Sequence, residues 1–367
     1  MPHSLRPTSE EAHDPRQGTQ RQPVGDGRFG SGGYRARHLC CKHSGPNLTE
    51  AEKIPAKCDV TYKVSDLPGF KAPKAKKPYH LEFSVPMFIP YIQALIYGAQ
   101  QAAKDAGVTL TVDAGKGFMD PAAQITQLEN ALTHKPDAVL INPSDADGMV
   151  PAIDEIIDSG TPVFDVGTLS NSQKSTKVVQ DDYAQGLMGV EAVAKLLPQG
   201  GQGILMGGPP NASWARRRVA GFLDGIKAHP NLKVIAVVSS DNAASDGLTK
   251  FSNAAEANPK FDFIYVTGSF VLQPQSIPAE YHKAVYVAGS LTPVTLAALK
   301  EGSAASILPD FSISVGYMGV SLAVRKLNGD PVPHFNCAPS GAMFKADVND
   351  PVWIDGSITP ADAASAK

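Results

Sequence analysis

The chain has 367 residues, 43% of them hydrophobic and 19% charged, with a formal net charge of −3. That length exceeds one ordinary hydrophobic core, so two domains are expected, and the composition is that of a globular protein. The slight acidity excludes a general attraction to nucleic acid or anionic lipid, and no apolar run nears the roughly 18 residues that span a bilayer.

Residues 1–45 lack apolar periodicity and are rich in Gly, Arg, His, Pro and Gln, so the atypical segment 1–58 is expected to be disordered. It shows none of the basic, apolar and small-residue pattern of a secretory signal. His38-Leu39-Cys40-Cys41-Lys42-His43 crowds four metal-ligand types together, but in a stretch with no recognisable fold. It is read as incidental, and no metal site is expected. Residues 59–79, with Pro68, Pro73, Pro78 and Lys71, Lys74, Lys76 and Lys77, read as an extended, solvated leader.

Strand cores then follow at Leu81–Val85, Val108–Val112, Ala138–Ile141 and Val163–Val166. Between them run amphipathic helices beginning near Pro90, Pro121 and Gly148. Asp120-Pro121 reads as an N-cap followed by a first-turn proline, and Gly107, Gly160 and Pro162 punctuate the helix ends. A seam falls near Val178–Asp182. Past it the alternation resumes, with strands at Ile204–Met206, Val234–Val238, Phe263–Val266 and Val285–Val287. Helices fall around 187–197, 212–228, 243–257 and 293–301. Strands alternating with helices at this spacing build parallel sheets with helices on both faces. The expected fold is therefore α/β, with two doubly wound parallel-sheet lobes. The first comprises 79–180 plus 311–333, the second 181–309, and 334–367 forms a C-terminal tail.

Such sheets bind ligands at the carboxyl ends of their strands. Those ends are polar and Gly/Pro-rich here: Pro86–Phe88, Asn142–Asp145, Asp165–Gly167, Gly207–Pro210, Gly268–Ser269, Ser290 and Pro309–Asp310. Motifs for chemistry are missing. Gly200-Gly201-Gln202-Gly203 precedes a strand instead of a helix, Gly115-Lys116-Gly117 lacks phosphate-loop context, and there is no Gly-x-Ser-x-Gly elbow. Neither an enzyme nor a cofactor is expected.

Several segments together resemble the periplasmic sugar-binding proteins of the ribose/galactose type. They are Tyr97-Gly98-Ala99-Gln100 with Ala106-Gly107, Leu140–Asp145, Val163-Phe164-Asp165, Val179–Asp182 and Arg216–Phe222. The resemblance covers about 79–333. It implies two lobes joined by three hinge crossings, placed near Asp181, Gly289 and Pro309. It also implies closure around a small sugar- or polyol-like ligand, delivery to an ABC transporter membrane permease, a periplasmic location and no catalysis. An exported protein needs a leader, so the start is then expected to be displaced or the head to be a misread frame, with the leader upstream or lost.

Carried over position by position, the resemblance nominates Phe88 and Tyr91 as stacking rings, Asp165 as the carboxylate for hydroxyls, and Arg216 as a bidentate donor. Gly268, Ser290 and Asp310 stand at the family's other contact positions. Asp165 is followed by Val166 where the family has arginine. Asp165 either grips ligand or caps the next turn, and Arg216 either faces the cleft or water. Trp214 is either a core indole or a stacking platform, and Asp310 either a hinge group or a ligand contact. The same fold also serves as the effector domain of repressors, and a ligand-sensing role is the alternative. Residues 1–60, however, hold no helix-turn-helix pattern. Cys58 and Cys337 flank the two lobes; in an oxidising compartment they are expected to bridge, against the alternative of two unrelated thiols.

Overall fold

The computed structural model describes residues 58–241 and 244–360. The Cys/His cluster at 38–43 and the expected disorder of the head lie outside these residues, as do the last seven. Among the described residues no helix is long and apolar enough to cross a membrane, and no group of three or more His, Cys, Asp or Glu could hold a metal ion.

Two parallel sheets form the scaffold. The first has seven strands in the order β1 (Val60–Thr61), β12 (Phe335–Cys337), β6 (Thr176–Val179), β5 (Val163–Gly167), β4 (Ala138–Ile141), β2 (His80–Val85) and β3 (Thr109–Ala114). The second has five, ordered β11 (Ser306–Leu308), β10 (Val285–Gly289), β9 (Phe263–Val266), β7 (Gly201–Gly208) and β8 (Leu232–Ser239). Every pairing within the two sheets is parallel. The central strands β4, β5, β6 and β9 are buried at every position. Helices cover both faces, so these strands need apolar side chains on both sides. Edge strand β3 alternates exposed and half-buried residues instead.

Helix punctuation is local. The Pro90–Ala106 helix ends on Gly107 in the left-handed region at φ 77°, which costs glycine nothing sterically. Asp181 caps the Asp182–Leu196 helix, its side chain accepting from the Ala184 amide. Asp120 sits at the N-cap position before Pro121 without capping through its side chain, so the proline alone marks that start. The Pro90–Ala106 and Ser312–Leu327 helices cross so closely that a Cβ on Gly98 would lie 1.9 Å from the Ile313 carbonyl oxygen. One on Gly316 would lie as close to that of Leu95. Only glycine fits either position.

Three expectations about organisation are corrected. The leader and the 334–367 stretch are not trimmings outside the lobes: β1 pairs with β12, and β12 with β6, extending the first sheet. Both strands are two or three residues long and carry almost no periodicity, so only pairing defines them. Gly289 ends β10 inside the second sheet and is no crossing. The passages between sheets fall after β6, after β11, and after β12, where the chain runs on until Met343 forms an antiparallel bridge to Ile307. Beyond it, Trp353 packs on Phe311 with ring centroids 5.4 Å apart, and the Gly356 carbonyl accepts from the Ile313 and Ser314 amides. The tail thus ties the edge of the second sheet to the start of the Ser312–Leu327 helix.

Cys58 and Cys337 form a disulfide with Cα atoms 5.7 Å apart across a sequence separation of 279 residues. The bridge sits beside the β1–β12 pairing and pins the leader to the tail.

Candidate ligand-binding cleft

Eight side chains converge on one cavity: Tyr91, Phe118, Thr168, Trp214, Arg218, Phe270, Ser290 and Asp310. Each lies in a segment that follows the carboxyl end of a strand: β2, β3, β5, β7, β9, β10 or β11. Three come from segments following strands of the first sheet, the other five from segments following strands of the second. The parallel arrangement aims all these ends at one crevice.

Four rings form the apolar wall. Trp214 meets Phe270 edge-on at 5.5 Å and Phe118 at 6.3 Å, and Phe270 lies 6.5 Å from Tyr91. The space left among the lining groups is about 10 Å³, at the threshold for a single water. A sugar-sized solute enters only if the two sheets part.

The polar wall is a buried ion-pair network. Arg218 donates from Nε to Asp182 at 2.8 Å, from Nη1 to the Thr267 carbonyl at 2.7 Å, and from Nη2 to Asp310 at 2.8 Å. Asp310 also accepts from Gln185 at 2.9 Å and from the Ser290 hydroxyl. Its carbonyl accepts from Gln180, which reaches the Tyr91 hydroxyl as well. The network therefore joins both passages near the cleft, Gln180–Asp182 and Asp310, to the cavity wall. Desolvation raises the Asp182 carboxyl to about 6, with Arg218 and Arg217 opposing the rise. For Arg218, burial works against the charge, but Asp310 and Asp182 more than compensate and raise its pKa. Burial likewise pushes the Tyr91 hydroxyl well above its usual range, so it stays protonated. Ser290 holds φ 72°, a left-handed conformation uncommon for a residue with a side chain.

Of the sequence-nominated residues, Tyr91, Trp214, Ser290 and Asp310 line the cavity. The other four do not. Phe88 is 59% exposed on the loop after β2. Asp165 is fully buried inside β5, where Lys177 (2.6 Å) and the Ser170 amide and hydroxyl take up its carboxylate. A strand residue whose register partner on the neighbouring strand is a lysine becomes a core ion pair before it can become a ligand group. Arg216 faces Asp147 at 3.7 Å. The guanidinium in the cleft is that of Arg218, one helical turn after Trp214 and 5.4 Å over its ring. That i, i+4 spacing was the signal available in the sequence. Gly268 stands in the β9 loop, a Cβ there meeting the Phe270 ring at 2.7 Å; its role is to let that ring fold back. Phe118, Thr168 and Phe270 come from loops without periodicity, and Asp182 was hidden beside the capping Asp181.

A sequence profile of the periplasmic binding protein domain matches residues 87–331. The chain belongs to this family. The structure has its type I fold, with two parallel α/β sheets around a cleft. Among relatives, the chain is 24% identical over 253 residues to the ribose import binding protein RbsB of Salmonella typhimurium, covering 66% of this chain and 82% of that one. It is 28% identical to RbsB of Bacillus subtilis over 178 residues, spanning only 57% of that protein's length. Periplasmic protein TorT of Escherichia coli is 24% identical over 342 residues, covering 89% of this chain and 90% of its own. Among solved structures, a carbohydrate transporter solute-binding protein from Agrobacterium radiobacter in complex with D-arabinose superposes with a TM-score of 0.70 at 24% identity. It covers 76% of this chain and 98% of its own. A solute-binding protein from Agrobacterium vitis bound to α-D-tagatopyranose gives 0.71 at 19% identity, covering 77% and 100%. Both likenesses concern the fold.

Proposed function

We propose that this protein is an extracytoplasmic solute receptor that captures a small sugar- or polyol-like molecule in its cleft and hands it to an ABC-type membrane permease. The observation that carries this reading is the convergence of rings and hydrogen-bonding groups from both sheets on one crevice. Stacking rings suit the C–H faces of a sugar, and Asp310, Ser290 and Thr168 suit its hydroxyls. Relatives named for ribose and D-apiose import support the ligand class. The Cys58–Cys337 bridge supports a location outside the reducing cytoplasm. The part assigned to Asp182, Arg218 and Asp310 is structural: they bond one another and hold the passages between sheets.

The cycle is opening, capture and closure. Bending is absorbed at the passages after β6, β11 and β12, where a few element-terminal residues take up the rotation. A thermal-shift screen of pentoses, hexoses and polyols tests the ligand class, because a molecule that binds only the folded state raises the melting temperature by mass action. Scattering of the saturated protein against the free one tests closure. A screen in which no sugar or polyol raises the melting temperature overturns the ligand assignment, and an unchanged radius at saturation overturns the closing cycle.

A further inference from the structure

The charges at the cleft do not balance. Arg218 is the cation of the cavity wall, and each of its three nitrogens is already engaged, by Asp182, by Asp310 and by the Thr267 carbonyl. Its neighbour Arg217 pairs with Asp181 at 3.5 Å. Among the described residues the Arg218 guanidinium thus meets two carboxylates, Asp182 and Asp310, both essentially buried. A buried carboxylate left undercompensated is costly, and it attracts positive charge from whatever enters beside it. Asp310 lines the cavity directly, together with four aromatic rings. Ring faces attract cations as well, most strongly where water is excluded. A bound anion would find no unengaged guanidinium on this wall, and would meet the Asp310 carboxylate.

Resting on the solute-receptor reading above, we infer that the cleft selects a ligand carrying a protonated amine on its hydroxylated skeleton, an amino sugar or amino polyol, seated with its ammonium against Asp310 and beside the Tyr91 and Phe270 rings. A sugar acid or sugar phosphate is rejected by the same wall. The ammonium supplies the positive charge that the network lacks.

The test uses matched probes titrated calorimetrically into the full chain in phosphate buffer. One series is D-glucosamine, D-glucose and D-glucuronate; the other is tris and its neutral analogue pentaerythritol. The expected result is that each amine binds at least tenfold more tightly than its neutral counterpart, with no binding of the glucuronate. In Asp310→Asn, checked for an unchanged circular dichroism spectrum, the amine's advantage falls to less than threefold while any neutral binding persists. Asp147→Asn, a carboxylate away from the cavity wall, is the control and keeps the preference. Neutral members binding as tightly as the amines overturns the charge selection and leaves the sugar-receptor reading intact. If no probe of any charge binds, and the wider sugar and polyol screen is also silent, both readings fall.

Discussion

Replacing Arg218 by methionine is the perturbation with the largest expected effect on both stability and binding. The side chain is 4% exposed and makes three hydrogen bonds, two of them to carboxylates that are themselves 0% and 3% exposed. Bonds between ionised partners contribute about 1.5–3 kcal/mol each, and removing one member of a buried ion pair costs about 3–5 kcal/mol because the other stays buried and uncompensated. Here two carboxylates are orphaned. Part of the loss is recovered as Asp182, already raised to about 6 by desolvation, takes up a proton. A loss of about 3–5 kcal/mol is therefore expected, with ligand binding abolished. Arg216→Met, two residues earlier in the same helix, disturbs a 3.7 Å pair with an Asp147 that is 55% exposed. Its cost should be the smaller of the two, since the Asp147 partner is largely solvated. Urea unfolding followed by circular dichroism at pH 7.5 measures both, provided the slopes agree. Adding Asp182→Asn to Arg218→Met should restore at least 1 kcal/mol, since the combination removes a charge that the single change strands. If Arg218→Met costs no more than Arg216→Met, the network does not hold the cleft and the argument fails.

The remaining expectations follow from single features. Cys58→Ser should lower stability by roughly 2–5 kcal/mol in oxidising conditions, read from thermal unfolding with and without reductant; wild type with reductant should match the variant. Asp182 has a folded pKa of about 6 against an ordinary value of 3.8, so the folded state binds the extra proton between those limits. Its contribution therefore declines as pH rises from about 4 to 6, by roughly 3 kcal/mol in all. Asp182→Asn should remove that slope from the pH dependence of urea unfolding, and an unaltered slope would show that Asp182 does not titrate there. Gly98→Ala places a Cβ 1.9 Å from the Ile313 carbonyl oxygen and should cost about 1–3 kcal/mol or more in the same unfolding assay. Phe270→Ala should weaken ligand binding several-fold by calorimetry, whereas Phe88→Ala should leave it unchanged, since that ring is 59% exposed and away from the cavity.

Much of the scaffold was legible along the chain. Continuous apolar runs such as Ala138-Val139-Leu140-Ile141 become strands wherever they are buried on both faces, and glycines and prolines such as Gly107 and Pro121 end or begin helices through backbone geometry alone. Those signals are local, and they determined the α/β class and the placement of the cleft at strand ends. Tyr91, Ser290 and Asp310, nominated by the family resemblance, and Trp214, noted beside the arginines, line the cavity at those strand ends. The tertiary structure decided the rest. Asp165 and Asp310 look alike in sequence, each an aspartate at the end of an apolar run. Their roles part because β6 brings Lys177 against Asp165, while the chain leaving β11 turns Asp310 toward Arg218 and the cavity. Among Arg216, Arg217 and Arg218, composition offers no choice; the docking of their helix turns Arg218 inward, on the face of Trp214. Strands β1 and β12 exist because backbone groups far apart in sequence pair, and the Cys58–Cys337 bridge holds them there. Periodicity records which face of an element is buried, but the partner that meets a given side chain depends on packing between distant segments, and that is written in no single stretch of the chain.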